Sequence, residues 1–178
     1  DVLASIFYDT KPDSNDNYIK LLGRQNNNRV YKYILRRYFV PHPNLDKYKV
    51  LVPSSNGTGA IGEVLSTPLI GEPLIGEPLI GYTETFISFG AFEDKFQAEN
   101  LLKYVKSKFS RTMLGVLKVT QGNKTKHVWS KVPLQDFTAN SDIDWSKSIP
   151  EIDQQLYKKY DLSQEEIDFI ESRVKAME

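Results

Sequence analysis

The sequence predicts an α+β fold. A mostly antiparallel β-sheet portion comes first, helices follow, and a C-terminal helical hairpin ends the chain. Runs rich in β-branched and aromatic residues fill the first half, whereas apolar residues at helical spacing dominate the second half. Strands and helices do not alternate regularly along the sequence, so a doubly wound sheet is not expected. With 178 residues, 40% of them hydrophobic and 26% charged, the chain can bury one sizeable core.

Four stretches carry the strand prediction. The stretch YIKLLGRQNNNRVYKYI predicts two strands around a GRQNNN loop, because Gly and Asn tolerate the positive φ of turns. Tyr48–Pro53 is a short apolar strand, and Thr83–Phe92 alternates as a strand does. HVWSKVPLQDF is predicted to be a strand or an extended segment.

The helices carry capping signals. The stretch DKFQAENLLKYVKSKFSRTMLGVLKV predicts one helix that begins after Asp94. Near the C-terminus, Ser148 with Glu151 and Ser163 with Glu166 form two potential capping boxes, so two short helices are expected to pack as a hairpin. We therefore predict one domain over residues 1–147, with the hairpin of residues 148–178 packed on it.

Composition excludes several classes of function. The chain has no cysteine, which rules out disulfides, thiolate metal sites and a cysteine nucleophile, and which fits a reducing, cytoplasmic compartment. No apolar run is long enough to cross a bilayer, so no membrane partner is expected. The chain begins at Asp1 without a signal peptide, and we interpret it as a piece of a longer protein.

A net charge of zero hides strong segregation. Residues 18–49 carry eight bases and one acid, and residues 95–131 carry nine bases and one acid. Residues 50–94 carry six acids and no base, and residues 136–178 carry eleven acids and five bases. Solvated faces are the ordinary explanation of such blocks. Two strongly basic blocks also favour a surface that binds a polyanion, since phosphate neutralisation needs clustered Lys and Arg.

Polar side chains suited to reading bases lie in or beside the basic blocks. Arg can bind guanine through two hydrogen bonds, and Asn or Gln can bind adenine in the same way. A flexible hairpin tip is the alternative for the GRQNNN stretch. The predicted DNA-contacting residues are Arg24, Gln25, Asn26, Asn27, Arg29, Lys32, Ser54, Asn56, Thr58, Lys103, Lys106, Lys118, Gln121, Asn123 and Lys124. Contacts to phosphate in particular are expected from Lys103, Lys106, Lys118 and Lys126.

Four other patterns imitate catalytic or ligand sites. GTGAIG matches a dinucleotide-binding pattern, but Pro68 follows too soon for the helix that such a site requires. Pro12-Asp13 with Glu93-Asp94-Lys95 resembles a nuclease signature, but the second triplet begins a helix. The two histidines lie far apart in sequence, and the acids of SDIDWS fit a turn better than a metal site. We predict neither a catalytic residue nor a metal site.

Long stretches of the chain resemble a known family. KFSRTMLGVLKVTQGN and VPLQDFTANSDIDWSKSIPEIDQQLYKKYDLSQEEIDFIESRVKAME look like the C-terminal region of adenine-N6 DNA methyltransferases from restriction–modification systems. KVLVPSSNGTGAIGEVLSTPLIGEPLIG and YTETFISFGAF also resemble this family, so that most of the chain from about Tyr18 onward is covered. In that family the region follows the catalytic domain and acts as the target recognition domain.

The resemblance implies sequence-specific recognition of double-stranded DNA without chemistry in this chain. The family's Asn-Pro-Pro-Tyr motif and its glycine-containing motif for S-adenosylmethionine are absent here. Methyl transfer, base flipping and S-adenosylmethionine would then belong to a separate catalytic domain of the parent protein, which is the second expected partner besides DNA. A protein-interaction module and a divergent metal-dependent restriction nuclease are the alternatives.

The repeat PLIGEPLIGEPLIG, residues 68–81, is a five-residue unit read almost three times. Its two glutamates exclude a bilayer span, and its three prolines exclude a helix or a central strand because proline has no N–H donor. We expect an extended segment or a series of turns whose Leu-Ile pairs pack against the domain. As a connector, its unit number would change the spacing of DNA-reading elements.

Overall fold

The computed structural model describes residues 4–55, 70–118 and 122–177. Strands come first within these ranges: β1 (Tyr18–Gln25), β2 (Asn28–Leu35), β3 (Tyr48–Pro53), β4 (Leu74–Gly76), β5 (Ile80–Tyr82) and β6 (Phe86–Phe92). Helices follow: α1 (Lys95–Lys106), α2 (Lys108–Gly115), α3 (Lys126–Trp129), α4 (Ile149–Lys159) and α5 (Gln164–Arg173). This order confirms the predicted α+β class. No helix in the described ranges is long and apolar enough to cross a membrane.

Strands β1 and β2 form a hairpin that is tighter than predicted. They pair along their whole length, from Tyr18 opposite Leu35 to Gln25 opposite Asn28. Only two residues remain for the turn, Asn26 with φ 49° and Asn27 with φ 66°. Two consecutive positive φ values are the geometry of a type I′ turn, which matches the twist of the flanking strands. Asparagine tolerates this region better than most residues, so the local sequence determines the turn.

The strands form two three-stranded sheets. The first has the order β2–β1–β5, with β5 parallel to β1, and the second has the order β4–β3–β6 and is antiparallel throughout. The repeat supplies an edge strand to each sheet, because Leu74–Gly76 pairs with β3 and Ile80–Tyr82 pairs with β1. The described part of the repeat therefore combines two extended, paired segments with a turn at Pro78 and Leu79, where the side chain of Leu79 is 53% exposed.

None of the three glycines of the repeat has room for a side chain, since a Cβ at Gly71 would already lie 2.8 Å from Pro53 Cγ. A Cβ at Gly76 would lie 2.9 Å from Lys49 Cγ, and one at Gly81 would lie 2.9 Å from Phe39 Cζ. Lys49, which is fully buried, donates hydrogen bonds to three backbone carbonyls, those of Leu45, Lys47 and Glu77. This lysine therefore ties the repeat to the start of β3.

The long helix predicted after Asp94 is broken in the structure. The side chain of Ser107 accepts a hydrogen bond from the N–H of Ser110 at 3.1 Å, so a new helix, α2, begins there. Asp153 of α4 accepts hydrogen bonds from the N–H groups of Lys108 and Phe109. These N–H groups belong to the first turn of α2 and have no partner within that helix, so a contact from distant sequence stabilises the break.

The strand or extended segment predicted for HVWSKVPLQDF is wrong at its start, because α3 occupies Lys126–Trp129. Val128 is buried in the main core, and the ring of Trp129 lies 4.5 Å from the ring of Phe89. Burial of Val128 and the packing of the partly buried Trp129 against the same core outweigh the β preference of the local sequence.

The main hydrophobic core lies between β3 and the helices. It contains Val50 of β3, Phe109 of α2, Leu156 of α4 and Ile170 of α5. Both predicted capping boxes form, at Ser148 and at Ser163. One buried cluster therefore includes residues from both 1–147 and 148–178.

Candidate nucleic-acid interface

Backbone hydrogen bonds bring separate segments together at one edge of the sheets. Thr83 N–H donates to Leu22 O at 3.0 Å, next to the β1–β2 hairpin, and Ser54 N–H donates to Thr85 O at 2.9 Å. Ser55 then pairs with Gly122, and Asn123 N–H donates to Ser54 O at 2.8 Å. Three stretches that are predicted to contact DNA therefore lie around the turn of residues 83–85. The sequence alone predicts these three residues only as part of a strand.

Two arginines stand opposite each other at the end of the hairpin. Arg24 and Arg29 are direct cross-strand partners, and both are exposed. Arg24 Nη2 donates to Asn27 O at 2.9 Å, and Arg29 Nη2 donates to Glu72 O. Neither guanidinium forms an ion pair within the ranges that the structure describes. Like charges directly opposite each other destabilise a sheet, so this pair calls for an explanation.

The two faces of the hairpin differ in chemistry. Directly opposite residues share a face, and side chains alternate along each strand. Lys20, Arg24, Arg29 and Tyr31 therefore lie on one face, where Lys20 Nζ is 4.6 Å from the centre of the Tyr31 ring. Lys32 lies on the other face and pairs with Asp9, so one predicted contact residue already has a carboxylate partner. The first face carries the unpaired positive charge.

A concavity of about 390 Å³ lies beside the hairpin tip. Arg24, Gln25 and Lys32 line it on one side and residues 83–85 on the other, while Phe7 adds an apolar wall. Gln25 is exposed at the last position of β1. The recess therefore combines guanidinium, amine, amide and hydroxyl groups with one exposed carboxylate, that of Glu84.

The hairpin turn carries two more residues that are predicted to contact bases. Asn26 and Asn27 are both exposed, so their side-chain amides are accessible. Asn28 Nδ2 donates to Asn26 O at 3.3 Å, which supports the turn from inside the hairpin. The tight turn thus holds these amides on a defined backbone rather than on a long loop.

Two lysines predicted to bind phosphate are engaged elsewhere. Lys103 Nζ donates to Trp145 O at 2.7 Å and to Lys147 O at 3.0 Å. Lys106 forms an ion pair with Glu72 at 2.6 Å. Both amino groups bind neighbouring segments and so support the packing of the helices. Neither amino group therefore lies on an open surface.

Three further predicted contact residues lie in the interior. Ser54, Lys118 and Asn123 are 8%, 4% and 0% exposed. Asn123 Nδ2 donates to Pro53 O at 3.0 Å, and its backbone O accepts from the indole of Trp129 at 2.9 Å. Burial also lowers the pKa of Lys118 to about 8, because desolvation penalises its charged form. These side chains support the edge rather than face a ligand.

The end of the second basic block is open to solvent, although earlier in the block Arg111 is 1% exposed and Lys108 pairs with Glu171. Lys124 is exposed as predicted, and exposed Lys126, His127 and Lys131 follow it on and after α3. Lys126 was expected to contact phosphate, whereas His127 and Lys131 were not among the predicted contacts, although their place in the basic block was a signal for them. Asn56, Thr58 and Gln121 lie outside the described residues.

The structure describes some of the residues in the patterns that imitate catalytic or ligand sites. In the described part of the chain, no group of three or more His, Asp or Glu side chains is placed to hold a metal ion. Asp142 pairs with Lys159 at 2.8 Å. Hydrogen bonds from Ser146 hold the pKa of Asp144 below its usual value, with the larger effect from the hydroxyl and the smaller from the N–H. Such local bonds are those of a turn. His42 stacks on Tyr82 at 4.3 Å. The glycines of GTGAIG lie outside the described residues.

Comparison with known proteins found no relative of this chain. No family model, no curated protein and no solved structure matches the chain. The arrangement itself can bind an anion and can offer hydrogen bonds to base edges, because its exposed groups include cationic and amide side chains, although the exposed carboxylate of Glu84 also lies there.

Proposed function

We propose that this chain is the target recognition domain of a restriction–modification adenine-N6 DNA methyltransferase, and that the β1–β2 hairpin reads double-stranded DNA. The resemblance of the sequence to that family supports the choice of system. The convergence of the hairpin tip, Ser55 and Gly122 at one edge supports the choice of surface. The chain is proposed to have no catalytic role of its own.

The observation that carries the proposal is the opposed pair Arg24 and Arg29. The two guanidinium groups are directly opposite each other on neighbouring strands, so their positive charges repel. Each donates a hydrogen bond to a backbone carbonyl, which carries no net charge and therefore does not neutralise it. A polyanion would relieve this repulsion, and charge-assisted hydrogen bonds to it are roughly twice as strong as neutral ones. The pair is therefore costly in the free chain and useful in a complex.

A two-stranded ribbon suits the major groove of B-DNA, which admits either a helix or a β-ribbon. Guanine presents O6 and N7 there to arginine, and adenine presents N6 and N7 to asparagine or glutamine. Arg24 and Arg29 would thus read guanine, while Gln25, Asn26 and Asn27 would read adenine.

Phosphate contacts belong to the exposed lysines of the second basic block. Lys124, Lys126 and Lys131 lie on the segment that begins at the paired edge of Ser55 and Gly122. Such contacts fix the position of a protein on the duplex and make binding salt-dependent. The lysines engaged inside the fold, Lys103, Lys106 and Lys118, are secondary in this scheme.

The chemistry of the parent protein would lie in another domain. That domain would bind S-adenosylmethionine and transfer the methyl group, and this chain would choose the sequence. It is also the proposed protein partner of this chain, in the cytoplasm. The division follows from the resemblance and from the absence of the Asn-Pro-Pro-Tyr motif in this sequence.

Selection from a random duplex pool, followed by fluorescence anisotropy at 50 and 200 mM salt, tests the proposal. We expect a recurring recognised sequence and an affinity that falls steeply with salt. Arg24→Gln and Arg29→Gln should each weaken binding to the selected site by about tenfold, since a good bidentate base contact is worth about 1–3 kcal/mol.

Lys158→Gln is the matched control, because it also removes one exposed positive charge but lies on α4, away from the hairpin. It should change affinity much less than either arginine variant. Absence of DNA binding at 50 mM salt, both by this chain and by the longer parent protein, would refute the proposal. Metal-dependent cleavage by the purified chain would instead establish it as a nuclease.

A further inference from the structure

An apolar groove lies on the helical side of the molecule. Its volume is about 640 Å³, within the range of ordinary ligand clefts. Helices α2 and α5 and the segment around Pro133 form its walls. The side chains that matter for its chemistry are Phe109, Met113, Tyr160, Leu162, Phe169 and Ile170.

The floor of the groove is rigid and its rim is open. Phe109 and Ile170 are 1% and 4% exposed and belong to the main core. The ring of Phe109 stacks on that of Tyr160 at 4.9 Å, which fixes the position of the tyrosine. Phe169, by contrast, is 45% exposed on α5. An exposed aromatic residue beside a buried apolar floor is typical of a surface that a partner covers.

The rim of the groove is acidic. Helix α5 carries four acids and one base, and both Glu165 and Glu166 line the groove. Glu166 is engaged in the capping box, where its carboxylate accepts from Ser163. Glu165 is exposed and forms no ion pair within the described ranges. A partner on this groove therefore meets negative charge at its edge.

We infer that the groove binds an amphipathic, basic helix of a partner protein, with the apolar stripe of that helix on Phe109, Tyr160 and Phe169. A groove between helices is a recurrent receptor for an amphipathic helix, which uses apolar anchors at i, i+3 or i+4, and i+7. Lysine or arginine beside those anchors would complement Glu165 and set the orientation of the helix.

Charge argues against the other occupants. A second copy placed by a two-fold axis would bring two acidic α5 helices together, which costs free energy. The segment 56–69 of this chain contains one acid and no base, so it offers no positive charge to the rim. The inference does not depend on DNA recognition, because none of the groove residues belongs to the candidate nucleic-acid interface.

Two panels of fluorescent helical peptides test the inference. Both panels carry the same apolar stripes, at i, i+3, i+7 and at i, i+4, i+7. One panel has lysine and the other has glutamate at the flanking positions. We expect the basic panel to bind the whole chain in the micromolar range and the acidic panel to bind at least tenfold more weakly.

Phe169→Ala should weaken binding of the best basic peptide about tenfold or more, as expected for a central aromatic anchor. The control is Phe96→Ala, because Phe96 is 46% exposed but lies on α1, outside the groove. Glu165→Lys should weaken the basic peptide and reduce its salt dependence, whereas Asp13→Lys removes an exposed acid elsewhere and should not. Circular dichroism checks that each variant is folded.

Three results would overturn the inference. These are equal binding of the two panels, no binding of the basic panel at 100 µM (about −5 kcal/mol in the standard state), and unchanged affinity in folded Phe169→Ala. A chain that is dimeric in sedimentation, and that Phe169→Ala converts to a monomer, would identify a second copy as the occupant instead.

Discussion

The helical side and the hairpin sheet of this molecule are built on different principles. The helical side shares one large core, which also includes Val50 of β3. The hairpin sheet is supported by two small clusters, one around Leu22 and one around Ile19. The exposed Arg24 and Arg29, which we propose to contact DNA, belong to this thinly packed sheet. Side chains at such a place can change with little loss of folding free energy, as a recognition surface requires.

Buried charge also divides the two regions. On the helical side, desolvation raises the pKa of Asp153 to about 6, although the N–H groups of Phe109 and Lys108 oppose the shift. In the sheets, desolvation lowers the pKa of Lys49 to about 8, although Asp46 opposes the shift. Each region therefore holds an ionisable group whose charged form is disfavoured. As pH rises, the contribution of Asp153 to the free energy of unfolding should fall and that of Lys49 should rise.

The largest expected effect tests whether the main core dominates stability. Phe109→Ala removes a ring that is 1% exposed and stacked on Tyr160, so it should lower the free energy of unfolding by about 4 kcal/mol. Phe39→Ala, at a half-buried ring packed on the Ile19 cluster, should cost clearly less. Urea denaturation of both variants measures the difference, and equal losses would contradict the comparison.

The pH dependence of stability should follow Asp153 at acidic pH. The folded chain holds this proton up to about pH 6, whereas an unfolded aspartate releases it near 3.8. The folded state thus binds more protons between those values, so the free energy of unfolding falls as pH rises from about 4 to 6. The full shift corresponds to about 3 kcal/mol at roughly 1.36 kcal/mol per pKa unit.

Asp153→Asn has no proton to release, so its stability should lack this contribution. The difference between wild type and variant, measured by denaturation from pH 4 to 7, isolates it from the other carboxylates. Lys49 has the opposite sign: its folded pKa lies below 10.5, so its contribution to stability rises between about pH 8 and 10.5. An unchanged slope in Asp153→Asn would show that another group controls the acidic range.

The smallest effect compares the two sheets through the repeat. Gly76→Ala places a Cβ 2.9 Å from Cγ of buried Lys49 and 3.0 Å from Leu51 Cδ1, and should cost about 1–3 kcal/mol. A Cβ at Gly81 meets Leu21 Cδ1 at 3.0 Å, but its shortest contact is with the end of the half-buried Phe39 ring, which can move more easily than buried Lys49, so Gly81→Ala should cost less. Thermal unfolding of the two variants ranks them. A larger loss for Gly81→Ala would mean that the hairpin sheet is the less adaptable one.

Local sequence by itself determined several elements of this protein. The Asn26-Asn27 turn forms where asparagine tolerates positive φ, and the capping boxes at Ser148 and Ser163 form because their partners lie three residues away. The exposure of Arg24, Gln25 and Arg29 on the hairpin was predictable for the same reason, since strand alternation and a tight turn follow from neighbouring residues. These features involve short-range contacts that depend little on the remainder of the fold.

Only the tertiary structure decided the rest. Asp153 caps α2 from a distant helix and so helps to break a helix that the local pattern predicted as continuous. Asn123 and Lys118 resemble surface residues in sequence, yet packing places them in the interior. Two units of the PLIGE repeat with the same sequence join different sheets, because β3 and β1 offer different unpaired edges. Identical local preferences cannot choose between partners, so long-range pairing and burial make that choice.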